Sequence, residues 1–264
     1  MADRPDDVRV TNLRFQRLAE LVADRLRERI LRGDLEDGDL LPKEEELRAS
    51  YPVSKPSLRE AMRILEAEGL ITVRRGNVGG AVVHRPTPAN VAYTLAMVLS
   101  ANRVDIPDVA RALREVEPSC AALCAARSDR AKAVVPKLKA LQKEALANVD
   151  DLVQATTLSR HFHESLVALC GNETLIIMVG ALEALWSSHE TGWATRTTDP
   201  GQVPVEERRV ALEAHQRIID LIAAGDAAAV RDLVAEHLAE VQQYPSPAPG
   251  TGGIDPVVVR DRLM

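Results

Sequence analysis

The chain has 264 residues, enough for two ordinary domains or one large one. Only 3% of the residues are aromatic, so aliphatic side chains and alanine must fill the core. The sequence has no apolar run of about 18 residues, and its charged start lacks the apolar stretch of a signal peptide. Cys120, Cys124 and Cys170 form no CxxC pair, which is typical of small core residues in a reducing compartment. We therefore expect a cytoplasmic protein that does not enter the membrane.

The charge of the chain is unevenly divided along its length. The formal net charge is −6, but residues 1–85 hold 16 basic and 16 acidic residues and are neutral as a group. Because the screening length in physiological salt is about 8–10 Å, the acidic excess elsewhere does not prevent this part from approaching phosphates. Composition therefore leaves a nucleic-acid-binding function open for the N-terminal part.

The patterns of three helices follow one another near the start of the chain. An apolar stripe at helical spacing predicts a helix over residues 13–32, which Gly33 ends. Pro42 opens a second, short helix with glutamates in its first turn. Ser54 is the predicted N-cap of a third helix, which ends at Gly69.

A predicted hairpin follows the third helix. The apolar runs 70–73 and 81–83 flank an arginine- and glycine-rich turn, which favours two short antiparallel strands. Three helices followed by such a hairpin are the order of a winged helix-turn-helix. We therefore predict a DNA-binding domain over residues 13–85, preceded by a flexible N-terminus at residues 1–12.

Candidate DNA contacts lie at the start of the third helix and at the hairpin tip. The start of the second helix of a helix-turn-helix lies in the major groove; the corresponding candidates are Ser54, Lys55, Ser57 and Arg59. An arginine there can bind guanine through two hydrogen bonds, and short hydroxyls suit phosphates. The candidates at the hairpin tip, for phosphates or the minor groove, are Arg74, Arg75 and Gly76. The alternative is that these residues are ordinary solvated charges.

The remainder of the chain has helical periodicity. Residues 86–104 are predicted to be a linker and a first helix, and residues 105–243 an all-helical domain. The predicted helices cover residues 88–101, 105–127, 130–147, 150–170, 173–195, 205–224 and 226–243. The Pro- and Gly-rich start of residues 244–264 predicts a disordered tail. The predicted fold is mainly α: an N-terminal winged helix-turn-helix and a C-terminal all-α helical bundle.

Several short stretches of the first domain carry a resemblance to a known family. They are Leu31-Arg32-Gly33-Asp34-Leu35, Leu41-Pro42, Glu46-Leu47, Val53-Ser54, Leu58-Arg59-Glu60-Ala61, Leu65-Glu66-Ala67-Glu68-Gly69-Leu70-Ile71, and Arg75-Gly76 followed by Gly80. Through them residues 18–83 resemble the N-terminal domain of GntR-family transcription regulators. The resemblance implies a homodimer that binds a palindromic operator in double-stranded DNA, usually as a repressor. Two positions depart from the family: Glu45 stands where an arginine is usual, and Pro56 where a threonine or serine is usual.

A second set of motifs carries a resemblance in the helical part. The set is Arg114 with Glu117-Pro118, Phe162-His163 followed by Gly171-Asn172, Glu213-Ala214-His215 with Gly225-Asp226, and His237-Leu238. Through it residues 105–240 resemble the FCD effector domain of FadR-type GntR regulators. The resemblance implies a small-molecule effector, held in a cavity of the bundle.

Three histidines, His163, His215 and His237, are candidate metal ligands. They are far apart in sequence but could meet inside a helical bundle, and three imidazoles suit zinc or nickel. The resemblance implies a divalent-metal site that also contains an aspartate, and this chain has Ser159 at that position. We predict a Zn or Ni site at the three histidines with Ser159 beside it. The alternative is a polar cavity in which these four residues contact the effector directly.

An arginine near position 114 is expected to hold a carboxylate of the effector. The resemblance favours Arg114, and Arg111 stays open because the spacing to Glu117 is one residue short of the commonest form. The alternative for both is a surface salt bridge with Glu115 or Glu117.

A different class of function, a metal-dependent hydrolase, is the alternative reading of the three histidines. Glu164 beside His163 could serve as its base, but the sequence contains no HExxH or nucleophile motif, and the winged domain would have no role. We therefore predict a regulator and not an enzyme.

Overall fold

The computed structural model describes residues 5–74, 80–196, 203–242 and 253–263. The chain forms two compact units, Met1–Thr87 and Pro88–Met264. The boundary between them lies two residues after the predicted end of the first domain at residue 85. No helix in these described ranges is both long and apolar enough to cross a membrane.

The first unit consists of three helices and a two-stranded antiparallel sheet. Its elements are α1 (Pro5–Arg32), α2 (Glu44–Ser50), α3 (Lys55–Ala67), β1 (Ile71–Arg74) and β2 (Gly80–Val83). The strand register pairs Ile71 with Val83 and Arg74 with Gly80. This is the predicted winged helix-turn-helix.

The core of the first unit lies where α1 packs against α3. Its fully buried side chains include Leu26 and Ile30 of α1, Leu58 and Leu65 of α3, and Val83 of β2. Gly33 and Gly69, at the predicted helix ends, adopt φ values of 84° and 73°, a left-handed conformation that glycine adopts without a steric penalty. The turns after α1 and α3 are therefore specified by these two glycines.

The N-terminal segment differs from its prediction. Residues 1–12 were expected to be flexible; residues 1–4 lie outside the described residues, and α1 begins at Pro5. A proline suits the first position of a helix because the N–H that it lacks would have no partner within the helix. The apolar stripe used for the prediction begins only at residue 13, so it gave no signal for this first part of the helix.

The second unit is an all-helical bundle. Its elements are α4 (Pro88–Ala101), α5 (Ile106–Ala126), α6 (Arg130–Ala133), α7 (Val135–Ala147), α8 (Leu152–Ala168), α9 (Glu173–Arg196), α10 (Val205–Ala224), α11 (Ala227–Val241) and α12 (Pro256–Leu263). The predicted helix over 130–147 is interrupted at Val134, because Pro136 has no N–H with which to continue the helical hydrogen bonds. The main core joins α5 to α8, α9, α10 and α11.

The C-terminal segment corrects a second prediction. Residues 244–264 were expected to be a disordered tail. Residues 244–252 and 264 lie outside the described residues, but residues 256–263 form α12, which packs against α4 and α9. Ile254 and Val259 are buried in the main core, and Gly253 forms a backbone bridge with Asp105. Burial of two branched apolar side chains favours this short helix over a solvated tail. The composition-based prediction was dominated by the Pro- and Gly-rich residues that precede it.

Candidate functional site

The start of α3 combines a helix cap with two exposed cations. Ser54 Oγ accepts a hydrogen bond from the Ser57 backbone N–H at 3.3 Å, so Ser54 is the N-cap as predicted. The Ser57 hydroxyl lies 2.9 Å from Ser54 Oγ, and the residue is only 1% exposed. Ser57 therefore belongs to the interior of the cap and presents no surface to DNA, contrary to its prediction as a contact residue.

Lys55 and Arg59 are both exposed on α3 but have different surroundings. Lys55 Nζ lies 3.0 Å from Glu44 Oε1 of α2, so a phosphate would have to compete with this carboxylate. Arg59 makes no ion pair within the part of the chain that the structure describes, so its guanidinium is available to a partner. Glu45, at the position where the family usually has an arginine, is also exposed.

The hairpin tip is described only in part. Arg74 is exposed at the end of β1, opposite Gly80. Arg75 and Gly76 lie outside the described residues. The candidate surface for DNA therefore consists, in the described ranges, of the exposed residues Ser54, Lys55, Arg59 and Arg74.

The three histidines meet in the interior of the second unit. Helix α8 supplies His163, α10 supplies His215 and α11 supplies His237, and each is at most 2% exposed. His215 Nε2 lies 3.2 Å from His163 Nε2 and 3.0 Å from His237 Nε2. One nitrogen of each ring lies within 4.8 Å of the others. The predicted convergence is therefore confirmed.

The protonation of the cluster suits metal coordination. Burial, followed by the charge of Arg160, lowers the pKa of His163 well below its usual value. Burial also lowers the pKa of His215, and it lowers that of His237 to about 2. All three rings are therefore neutral at physiological pH, which is the form that binds a metal ion.

The spacing of the ring nitrogens also fits a divalent transition metal. Tetrahedral ligands at the usual Zn–N distance are about 3.3 Å apart, close to the two separations that involve His215 Nε2, and the third pair of ligand nitrogens lies within 4.8 Å. His215 Nδ1 and His237 Nδ1 have no hydrogen-bond partner among the described residues. Phe162 stacks on the His215 ring, with centroids 4.0 Å apart, and fixes its plane.

The second ring nitrogen of His163 is held by a carboxylate. The Nδ1–H of His163 donates to Glu117 Oε1 of α5 at 2.6 Å, and both side chains are fully buried. This bond leaves the lone pair of His163 on Nε2, facing the other two histidines. The predicted motif around Glu117 and Pro118 thus contributes to the site through its glutamate.

A buried group of charges lies behind His163 and was missed by the sequence analysis. Arg160 of α8, 2% exposed, places its Nε 2.8 Å from Glu190 Oε2 and its Nη1 3.8 Å from Glu183 Oε2, both on α9. Burial raises the pKa of the Glu183 and Glu190 carboxyls. The sequence does contain one sign of this group: Glu183 is the lone carboxylate in the apolar run 175–186, and a carboxylate in such a run requires a buried partner.

A cavity of about 350 Å³ adjoins the histidine cluster, a volume typical of small-molecule sites. Its lining includes Ser159, His237 and Trp193 together with apolar side chains. Four carboxylates also line it: Glu190, Glu206, Glu207 and Glu240. Arg208 is the cation among the described lining residues, and its guanidinium donates to the carbonyls of Val149 and Val203.

The two arginines predicted to hold the effector are not in the lining of this cavity. Arg111 is exposed and forms an ion pair with Asp108, which is the surface-salt-bridge alternative with a different partner. Arg114 is half-buried, and its Nη1 donates to Gln242 Oε1 at 3.2 Å. Of the predicted effector residues, Ser159 and His237 line the cavity, while His163 and His215 lie behind His237.

A winged helix-turn-helix joined to a helical bundle with a cavity beside buried histidines defines the class of ligand-responsive transcription regulators. Residues 18–82 match the family described as "Bacterial regulatory proteins, gntR family", and residues 108–240 match the FCD domain. The chain therefore belongs to the GntR family of bacterial transcription regulators, in the group that carries an FCD domain.

Individual relatives agree with this assignment. The chain is 30% identical over 231 residues to the "Putative L-lactate dehydrogenase operon regulatory protein" of Escherichia coli (strain K12), covering 86% of this chain and 85% of the relative. It is 28% identical over 229 residues to the "HTH-type transcriptional repressor NanR" of Citrobacter rodentium (strain ICC168), covering 86% and 84%. The fold is similar to that of Streptococcus agalactiae GntR, with a TM-score of 0.64, 22% identity, and coverage of 85% of this chain and 99% of that chain.

Proposed function

We propose that the protein is a cytoplasmic, homodimeric repressor that binds a palindromic operator and whose affinity for DNA changes when a small molecule enters the FCD cavity. The observation that carries the proposal is the cavity of about 350 Å³ that reaches the buried histidine cluster. A dimer with two-fold symmetry matches a palindromic site. The similarity to a relative that is named a repressor supports repression over activation.

The DNA contacts proposed for this chain are Ser54, Lys55, Arg59 and Arg74, with Arg75 and Gly76 at the hairpin tip. Arg59 is the residue we assign to base recognition, since it is exposed and makes no ion pair with a described residue. Lys55 and Arg74 would bind phosphates. Ser57 is left out because its hydroxyl is buried in the helix cap.

Exposed apolar side chains on the second unit support the homodimer. Helices α4, α9 and α12 pack against one another, and they carry Val91, Met97, Val98, Ile177, Met178, Val257 and Val258 at least 40% exposed. Exposed apolar residues on neighbouring helices are typical of protein interfaces. Sedimentation should give a dimer for the parent chain and a monomer for Val98→Glu, and a Val98→Glu dimer of parental stability would contradict the use of this surface.

A divalent metal, zinc or nickel, is proposed at His163, His215 and His237, with Ser159 nearby as a neutral hydroxyl. Three neutral imidazoles and their spacing support the proposal. The bound ion would add positive charge beside a cavity whose lining contains four carboxylates and one guanidinium, that of Arg208.

An effector with a carboxylate is therefore proposed to depend on the metal. Because Arg111 and Arg114 do not line the cavity, the carboxylate would be bound beside the histidines and its apolar part along the aliphatic lining. The effector changes DNA affinity by binding more tightly to one arrangement of the dimer than to the other.

The hydrolase alternative is not supported. Glu164, the base that it requires, accepts a hydrogen bond from the Ser187 hydroxyl at 2.6 Å. The chain also belongs to a family of transcription regulators. We therefore propose no enzymatic reaction.

The test is binding of the purified chain to DNA from upstream of its own gene, followed by fluorescence anisotropy over a range of salt concentrations. We expect specific binding that weakens as salt rises, because phosphate contacts release counterions. A scrambled duplex of the same length is the control. Equal affinity for the two duplexes, or no binding at micromolar protein, would contradict the proposal that the protein regulates transcription from this DNA.

A further inference from the structure

The proposed metal site lacks an anionic ligand. Its three imidazoles are neutral, and position 159, which would carry a carboxylate in the family, is a serine. A divalent ion held by neutral ligands alone would keep its full charge inside the protein, which is costly in a medium of low polarity.

The groups packed behind the site are, in contrast, acidic. Glu117 contacts His163 directly, and Glu183 and Glu190 form ion pairs with Arg160. This buried group therefore has three carboxyls for one guanidinium. A cation at the histidines would favour the ionised form of these carboxyls.

Glu117 and Glu183 both have buried oxygens without a hydrogen-bond partner. These are Oε2 of Glu117 and both carboxyl oxygens of Glu183, among the residues that the structure describes. The two side chains are buried to at least 99%. Buried carboxylates in this situation are unfavourable unless a positive charge lies nearby.

We infer that Glu117 and Glu183 supply, from behind His163, the negative charge that a divalent ion at the three histidines requires. This inference rests on the metal site proposed above. Glu117 is a positioning residue: it acts through His163 by fixing its Nε2 lone pair toward the cluster and by making the ring a stronger donor. The missing aspartate at position 159 is thus compensated from the opposite side of the ligand set.

The experiment measures the zinc affinity of the full-length, metal-free chain by competition with a chromophoric chelator. Glu117→Gln keeps an oxygen that can accept the Nδ1–H of His163 but removes the charge. We expect zinc to bind about 10–100-fold more weakly than to the parent. Glu115→Gln is the matched control, since Glu115 is exposed on the same helix, and its affinity should equal that of the parent.

A rescue variant separates charge from mere packing. Ser159→Asp in the Glu117→Gln background returns one negative charge to the ligand set, and we expect the affinity to recover to within about threefold of the parent. Glu183→Gln, one carboxyl further from His163, should weaken zinc binding in the same direction. It also provides the test if Glu117→Gln does not give a folded protein by circular dichroism.

The outcomes distinguish this inference from the metal site itself. If the parent binds zinc and Glu117→Gln binds it equally well, the inference is wrong and the metal site stands. If Glu117→Gln is weaker but Ser159→Asp restores nothing, the charge argument is overturned. If the parent takes up no zinc, the metal site and the inference both fail.

Discussion

Replacing Arg160 by methionine should destabilise the second unit strongly. Methionine keeps an unbranched apolar stem but leaves Glu183 and Glu190 without their counter-ion in the interior. At an effective dielectric constant of about 20, the gross attractions at 2.8 and 3.8 Å are about 6 and 4 kcal/mol. Protonation of a carboxyl offsets part of that loss, so we expect the free energy of unfolding to fall by about 3–5 kcal/mol at pH 7.5.

The size of this loss should depend on pH. Burial raises the pKa of Glu183 and Glu190, so each native carboxyl binds a proton more readily than its unfolded counterpart. The corresponding stability is present below the unfolded pKa and is lost as pH rises through the native pKa. Protonating one uncompensated carboxyl is easier by about 1.4 kcal/mol for each pH unit downward. The loss in Arg160→Met should therefore shrink by about 2–3 kcal/mol between pH 7.5 and 5.5.

Urea unfolding followed by tryptophan fluorescence provides the measurement. The two tryptophans of the chain, Trp186 and Trp193, both lie on α9, the helix that carries the two glutamates, so the signal reports the second unit. Arg111→Met is the control, because its ion pair is exposed and should contribute less than about 1 kcal/mol.

Two results would refute the reasoning about Arg160. A loss below about 1 kcal/mol at pH 7.5 would show that the carboxylates are not buried with a single cation. A loss that is the same at pH 7.5 and 5.5 would show that no carboxyl takes up a proton when the guanidinium is removed. Adding Glu183→Gln to Arg160→Met should recover part of the stability, since it removes one of the uncompensated charges.

Three further predictions follow from the sites. Arg59→Ala should weaken binding to the operator by about 1–3 kcal/mol. Arg63 is exposed on the same helix and paired with Glu60, so Arg63→Ala should bind as the parent does. Equal losses of operator affinity in the two variants, measured by fluorescence anisotropy, would contradict base recognition by Arg59. Zinc at about 100 times its Kd should raise the free energy of unfolding by about 2.7 kcal/mol, visible as a thermal shift that a chelator reverses, and an unchanged melting temperature would remove the metal site. Burial raises the pKa of the Cys124 thiol to about 12, so the thiol stays protonated at pH 8.5 and iodoacetamide should modify it only in urea. The stability that this group contributes is lost as pH rises from about 9 toward 12. Rapid modification of Cys124 in the folded protein would contradict its burial.

The fold was largely predictable because its signals are local. Helical periodicity and the hairpin pattern depend on residues a few positions apart, and Gly33 and Gly69 mark turns that a left-handed glycine specifies. The errors arose where tertiary packing decides. The helix Pro256–Leu263 is stabilised by contacts with α4 and α9, which are distant in sequence. Ser57 has the residue type of a DNA contact, but its position in the cap turns it inward.

The same distinction holds within the site. The resemblance placed the three histidines correctly, and only the structure could show that they meet, since α8, α10 and α11 are separated by whole helices. The charge balance of the site was not predictable. Position 159 carries a neutral serine, while the carboxylates proposed to compensate for it lie on α5 and α9. Glu117 of α5 is 46 residues away from His163 in the sequence.

That placement has a consequence for how the site responds to a ligand. Ser159 lines the cavity, Arg160 faces the buried glutamates and His163 belongs to the cluster, and all three lie within about one turn of α8. Glu190 is shared, because it lines the cavity and contacts Arg160. The proposed effector in the cavity and the proposed ion at the histidines would therefore act on one helical turn and one charge network, so that binding of either would change the binding free energy of the other.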